Sequence, residues 1–213
     1  MSGLLLIGGG GHCLTVIDAL RSGEYEKVGI VDLPKMIGKT LNGLPYVGSD
    51  DDLEALRGAY DAAFVSLGSV GNWKRREELA VRLAQMKFDL ATVIHARSWV
   101  SPWANIAPGA LVASMCVVNA CSDVGEMCIL NTGCIVEHNC TVGPYAHIAP
   151  GSILCGGVRI GRGAHIGAGS VVRDGLSIGQ NTLIGAGSVV IKEVPSNVVA
   201  YGNPCEIRKE VTQ

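Results

Sequence analysis

The chain has 213 residues, of which 48% are hydrophobic, 5% aromatic and 29 are glycine, with a formal net charge of −2. That length carries one large domain or two modest ones, and the near-neutral charge, without a block of five like charges, argues against nucleic acid or an anionic membrane as partner. The start, MSGLLLIGGGG, lacks a basic n-region and no apolar run reaches 18 residues, so a cytoplasmic protein without membrane or nucleic-acid partners is expected.

Leu4 to Ile7 reads as a short apolar strand, followed by Gly8-Gly9-Gly10-Gly11 and a helical stretch through Ala19 and Leu20. A glycine run between strand and helix lets phosphate oxygens approach backbone N–H groups at the positive helix end. The dinucleotide fingerprint is not met, because its third glycine falls on Cys13 or Leu14 depending on where counting begins. Lys27 to Asp32 is a second strand, and Asp32 ends it about where a ribose-binding acid would lie. Ser49, followed by Asp50, Asp51 and Asp52, caps a helix through Leu53 and Leu56. Ala62 to Leu67 is a third strand, and Asn72 to Lys87 has helical spacing. Alternating strands and helices predict a small parallel, Rossmann-like α/β domain over residues 1–90.

Beyond it the period changes. Every sixth residue from Ile106 to Val190 is aliphatic, and Ala, Ser, Thr or Cys fills nearly every position two residues earlier. A period of six is neither helical nor a simple strand alternation; it marks hexapeptide repeats of a parallel β-helix over residues 91–213, with a charged C-terminal tail. Three hexapeptides make an 18-residue coil, so residues 18 apart stack at roughly 4.8 Å. Gly125, Gly143, Gly161, Gly167, Gly179 and Gly185 each follow the aliphatic position, where a corner with positive φ would want glycine. Cys116, Cys128, Cys134 and Cys140 fall on the small inward lattice, and no CxxC pair occurs. They read as buried small hydrophobes rather than metal ligands or disulfides.

The stack sets His138 beside Gly156, 18 residues on, so that an imidazole adjoins a backbone N–H. A base beside such a donor suits acyl transfer. His147 is expected to point outward from the prism and to stack on His165, which also admits a zinc pair of the kind found in γ-type carbonic anhydrases. Trp73, Trp99 and Trp103 fit either packing or ligand stacking.

The stretch Val136-Glu137-His138-Asn139-Cys140-Thr141-Val142-Gly143, continuing through His147-Ile148-Ala149-Pro150-Gly151 to Gly156 and Val158-Arg159-Ile160-Gly161, resembles the nucleotide-aminosugar N-acetyltransferases and the sialic acid O-acetyltransferase-like proteins. The resemblance extends to Gly8–His12, to Gly68, Gly71-Asn72 and Arg76, and to Gly202-Asn203-Pro204. It implies a left-handed β-helix, a homotrimer, and acetyl-CoA as cosubstrate without a metal. It further implies His138 as general base with Asn139 beside it, Gly156 facing the thioester carbonyl, and coenzyme contacts from His147, Gly156, Ala168, Ala186 and Pro204. Gly10, Gly11, His12, Asp32 and Gly68 would bind the nucleotide of an aminosugar acetylated at its amine, with C4 the expected position. Asn139 stands where many relatives carry an acid. Sugar O-acetylation and non-catalytic sugar-nucleotide binding remain alternatives.

Overall fold

A computed structural model describes residues 3–20 and 24–211, in two compact units. One comprises Met1–Gly68 and Lys74–Val93, the other Ser69–Trp73 and Ile94–Gln213. The segment 69–73, within the span expected for the α/β domain, makes its contacts in the second unit.

In the first unit the elements are β1 (Gly3–Ile7), α1 (Gly11–Ala19), β2 (Lys27–Val31), β3 (Thr40–Leu41), β4 (Leu44–Gly48), α2 (Leu53–Leu56), β5 (Ala62–Val65), α3 (Lys74–Gln85) and β6 (Asp89–Leu90). They form a sheet in the order β3-β4-β2-β1-β5-β6. All its pairings are parallel except β3 with β4. β1 is central, and Leu4, Leu5 and Leu6 are fully buried, as an apolar run covered on both faces requires. The chain winds to one side of β1 through β2 and to the other through β5. The C-terminal ends of β1 and β5 therefore border the crevice where such sheets bind ligands. The β3–β4 hairpin is absent from the strands read in sequence. Its signal was there: Asn42-Gly43, both at positive φ, is the dipeptide that two-residue hairpins favour.

The second unit is built of two-residue strands spaced six apart, running from Trp99–Val100 to Val189–Val190. Partners are 18 residues apart throughout, as in Ile129↔His147↔His165↔Leu183 and Ile135↔Ile153↔Val171↔Val189. This is a left-handed parallel β-helix. The aliphatic lattice lies inside; Val112, Leu130, Ile148, Ile166 and Ile184 are fully buried. The small lattice is interior too, and its polar tips bond to carbonyls of the neighbouring coil. Ser152 Oγ donates to Gly167 O at 2.9 Å, Ser170 Oγ to Gly185 O at 2.9 Å, and Cys128 Sγ to Gly143 O at 3.1 Å. Ser and Cys are interchangeable there because both are small and both donate. Val198–Gly202 adds to the sheet beside Leu183–Ile184, and Cys205–Glu210 pairs antiparallel with it to end the stack.

The corner glycines behave differently from the expectation. Positive φ falls three residues after each aliphatic position from Ile106 to Ile184, at Gly109, Met115, Cys121, Met127, Gly133, Asn139 and onward to Gly187. None of the six glycines that follow the aliphatic residue has positive φ. They lie where the next coil crosses: a Cβ on Gly143 would stand 2.8 Å from Arg162 N and 2.9 Å from Gly161 C. Glycine is demanded there by close backbone approach.

Candidate active site

In the α/β unit the glycine run serves two purposes. Gly8, at φ +103, has no room for a side chain beside Leu67, and Gly9 has none beside Tyr46, whose hydroxyl donates to Gly9 O at 3.0 Å. Gly10 and Gly11 face open space. Gly10 caps α1 without any side-chain hydrogen bond, so the first-turn N–H groups of a nine-residue helix point at an approachable surface, where the helix dipole favours an anion. Gly68 lies against His12; a Cβ there would be 3.3 Å from His12 Cβ. The expected substrate residues Gly10, Gly11, His12 and Gly68 are thus gathered at the C-terminal ends of β1 and β5.

Asp32, the expected ribose-binding acid, contacts this loop. Its Oδ2 accepts the Gly9 N–H at 2.5 Å and braces the glycine loop, while its Oδ1 accepts the N–H of the adjacent Leu33 at 2.6 Å. Asp32 and Gly8 also border a cavity of about 250 Å³ whose other walls include Leu33, Pro34, Asp50, Asp51, Leu67 and Arg75. The sequence reading named none of Asp50, Asp51 and Arg75 among its binding candidates. The three acids were read as a helix start, and Asp52 does act that way: it accepts both the N–H and the hydroxyl of Ser49, at 2.7 and 2.8 Å, which lowers its pKa. Arg75, not the Arg76 of the resembling motif, reaches the cavity and pairs with Asp50 at 2.7 Å. Arg76 is 1% exposed on the inner face of α3.

On the β-helix, His138 and Asn139 occupy a corner. Asn139 has φ +60, a conformation Asn tolerates better than most residues, and its Oδ1 lies 2.9 Å from His138 Nδ1. A carbonyl oxygen only accepts, so in the neutral ring this contact favours the tautomer with the proton on Nδ1 and the lone pair on Nε2. Glu137 does not touch the ring; its Oε2 takes Asn119 Nδ2 at 3.0 Å and the His138 N–H at 3.4 Å. Gly156 lies directly beside the imidazole. A Cβ on it would stand 2.7 Å from Cε1 and 2.9 Å from Nε2 of His138. Among the described residues none accepts the Gly156 N–H. A lone pair and an unpaired N–H therefore face one exposed corner.

Ala168 and Ala186 stack at a different corner, linked by Gly187 N–H to Ala168 O at 2.8 Å, and both are exposed. One chain does not bring them to His138; the face bearing Ile135, Ile153 and Val171 separates the two edges. Pro204, in the turn of the C-terminal hairpin, borders a third location, a cavity of about 260 Å³ shared with Lys192 and Cys205.

His147 leaves the prism wall but is not exposed. The segment 69–73 covers it, leaving 7% of its surface accessible. Its Nδ1 lies 2.7 Å from Ser69 O and its Nε2 3.2 Å from Asn131 Nδ2. His165 stacks on it edge-on, centroids 4.8 Å apart. The pairing is as the 18-residue period requires, yet with both nitrogens of His147 engaged the pair has no shape for zinc. Cys116, Cys128, Cys134 and Cys140 are buried thiols on the small lattice.

Comparisons with known proteins agree with both halves. Residues 3–83 match the PglD N-terminal domain family and residues 157–192 the bacterial transferase hexapeptide family (six repeats). No curated protein matches the chain. Among solved structures, a histidine-to-asparagine variant of perosamine N-acetyltransferase from Caulobacter crescentus, in complex with CoA and GDP-perosamine, is similar over 99% of this chain and 98% of its own. Its TM-score is 0.92 and its identity 35%. The acetyltransferase domain of PglB from Neisseria gonorrhoeae, in complex with acetyl coenzyme A, has TM-score 0.90 and 31% identity over 97% of this chain and 98% of its own. WeeI from Acinetobacter baumannii has TM-score 0.87 and 26% identity over 98% and 100%. The chain belongs to the hexapeptide-repeat acetyltransferases of nucleotide-linked aminosugars.

Proposed function

We propose that this enzyme, an acetyl-CoA-dependent sugar N-acetyltransferase, acetylates the C4 amine of a nucleotide-linked amino-deoxysugar with His138 as general base. The observation that carries the reading is the juxtaposition at one corner of His138 Nε2, the ring nitrogen that Asn139 leaves uncontacted, and the unpaired Gly156 N–H. As the neutral amine nitrogen attacks the thioester carbonyl, Nε2 takes its proton. The Gly156 N–H donates to the oxygen that becomes negative in the tetrahedral intermediate. Collapse expels the coenzyme thiolate and leaves an amide. Asn139 orients the imidazole without stabilising its positive charge as an acid would, which suits an amine, a better nucleophile than a hydroxyl. The α/β unit holds the nucleotide, its phosphates at Gly10 to His12 and Gly68, its base or ribose in the cavity bordered by Asp32 and Arg75. GDP-perosamine, bound by the Caulobacter relative, exemplifies the acceptor class.

The coenzyme is assigned to Gly156, Ala168, Ala186 and Pro204. Ala168 and Ala186 are exposed residues whose N–H groups have no acceptors among the described residues, which fits the amides of a pantetheine arm. Because those alanines and His138 lie on edges separated by a face, a neighbouring copy completes the site, and the assembly is a trimer. The face between the edges is suited to it. Its outward residues are Trp99, Val117, Ile135, Ile153, Val171 and Val189, all apolar. Another face carries Asn105, Asp123, Thr141, Arg159 and Ser177.

A thiol-release assay over a panel of UDP-, GDP- and dTDP-linked 4-amino sugars tests the reading. Thiol release with at least one of them, inhibited by the matching free nucleoside diphosphate, is expected. Release only with free sugars, insensitive to every nucleotide and yielding an ester, would overturn it in favour of O-acetylation.

A further inference from the structure

Glu137 stands beside His138 at the same corner and is held there by one oxygen only. Its Oε2 accepts Asn119 Nδ2 from the coil before at 3.0 Å and the His138 N–H at 3.4 Å. Oε1 has no hydrogen-bond partner among the described residues, and the side chain is half-buried. A carboxylate with one oxygen fixed and the other open is arranged to receive a cation or a proton.

The 18-residue period makes two columns here, Asn119–Glu137–Cys155–Arg173 and Ala120–His138–Gly156–Asp174. The titratable groups around Glu137 are therefore His138 and Cys140 on its own coil, Cys121 on the coil before, Cys155 on the coil after, and Arg173 and Asp174 on the one beyond. Burial, reinforced by the negative charges of Asp174 and Glu137, pushes the Cys155 thiol up. Burial likewise pushes up Cys140. Both thiols are uncharged at neutral pH and do not compete for a proton. The effect on Cys155 also marks a negative field at this corner, which favours a cationic acceptor.

The chemistry calls for such a group. Reference amines titrate between about 7.7 and about 10.4, so an aminosugar arrives largely as its ammonium ion. That nitrogen has three protons and no lone pair, whereas the amide nitrogen of the product keeps one proton. Two protons must leave, and His138 Nε2 can take one.

We propose that Glu137 is the second proton acceptor of this reaction: Oε1 binds the acceptor amine as its ammonium ion and takes the proton that His138 cannot. The proposal rests on the reading of His138 as the base. Nε2 takes the first proton, which frees the lone pair to form the N–C bond at the thioester carbonyl. Oε1 takes the second from the positively charged nitrogen of the tetrahedral intermediate. The C–S bond then breaks, the departing thiolate takes the proton held on Nε2, and Glu137 gives its own to water. One ammonium ion and one thioester yield one amide, one thiol and one proton.

The test is acceptor kcat/KM against pH on the best nucleotide-linked aminosugar, read by thiol release at saturating acetyl-CoA. The range spans the pKa of the acceptor amine, measured by titrating the acceptor alone. In the native enzyme kcat/KM should fall above that pKa, because the ammonium form is the one used. Glu137→Gln keeps an oxygen for Asn119 and for the His138 N–H but loses the charge. It should lower acceptor kcat/KM at pH 7 at least about tenfold and invert the profile, which now rises through the amine pKa, while the acetyl-CoA KM stays within about threefold. Glu137→Asp, which retains the charge, should retain the falling profile. A native profile that rises through the amine pKa, or a Glu137→Gln profile parallel to the native one, overturns the proposal. Full activity in His138→Ala would instead overturn the reading of the base, whatever the Glu137 variants do.

Discussion

His138 and Gly156 show how a single backbone atom governs a side chain one coil away. Any side chain at 156 must displace the imidazole, since its first carbon would stand 2.7 Å from Cε1. Gly156→Ala should therefore lower kcat on the order of 10²-fold or more, with the folded stability little changed because the ring can swing into solvent. Steady-state kinetics beside a thermal melt separates the two effects. His165 carries the clearest pH signature. Burial, reinforced by His147, lowers its pKa from 6.5 to about 4. The folded state keeps the ring neutral, whereas the unfolded chain takes up a proton below pH 6.5. Stability is therefore complete above that pH and falls as pH descends toward about 4, with a loss of about 2 kcal/mol by roughly pH 5. His165→Phe should flatten this part of the stability curve, measurable as Tm against pH. The pairing of His138 with Gly156 and of His147 with His165 was legible in the sequence, because both follow from an 18-residue stack. The covering of His147 was not, since it depends on a strap that lies about 75 residues earlier in the chain and carries no periodic signal.

At the scale of elements, the hexapeptide coil was readable because it repeats one steric problem many times. The large aliphatic and small inward positions fill the prism, and the sequence shows both. Where the reading went astray was the physical cause of the glycines after each aliphatic residue, attributed to φ and owed to the closeness of stacked coils. Gly143→Ala puts that cause to the test: its Cβ would press on Arg162 N, Gly161 C and Ile160 O, backbone atoms that cannot rotate away. We expect a loss of roughly 1–3 kcal/mol in a denaturant titration. Gly133→Ala, at positive φ with open space around its Cβ, should cost about 1 kcal/mol through backbone strain alone. In the α/β unit the strands and helices of the parallel sheet were legible from apolar runs. The β3–β4 hairpin was not, because its strands are short and its residues half-exposed, leaving Asn42-Gly43 as the only cue. Arg75 and Arg76 differ for a helical reason: one residue is a turn of about 100°, enough to move a side chain from the cavity to the buried face.

For the whole molecule, the three outward columns of the β-helix differ in kind. One is polar, one carries the histidines under the strap, and one is an unbroken apolar ladder from Trp99 to Val189. A ladder of that kind left in water is unfavourable, and a second copy would remove it from solvent. Light scattering should give three chains per particle for the native protein. Ile153→Lys, placing a charge midway up the ladder, should shift the particle toward single chains and depress activity with it, because the alanine edge and the histidine edge would no longer be supplied by neighbouring copies. A single-chain native protein with full activity would contradict that arrangement. On the proposed reading the acceptor is specified by the less regular unit, and the cavity was only partly legible because Asp50 and Asp51 come from one element and Arg75 from another, brought together by folding. The account stands or falls on the base at the exposed corner. The most direct measurement is kcat for coenzyme thiol release by His138→Ala and by the native enzyme on the best nucleotide-linked aminosugar, with the same assembly state and acceptor binding verified for both. A fall of roughly 10²–10⁴-fold in kcat, the range general-base catalysis supplies, is the predicted result; an unchanged kcat would contradict the mechanism.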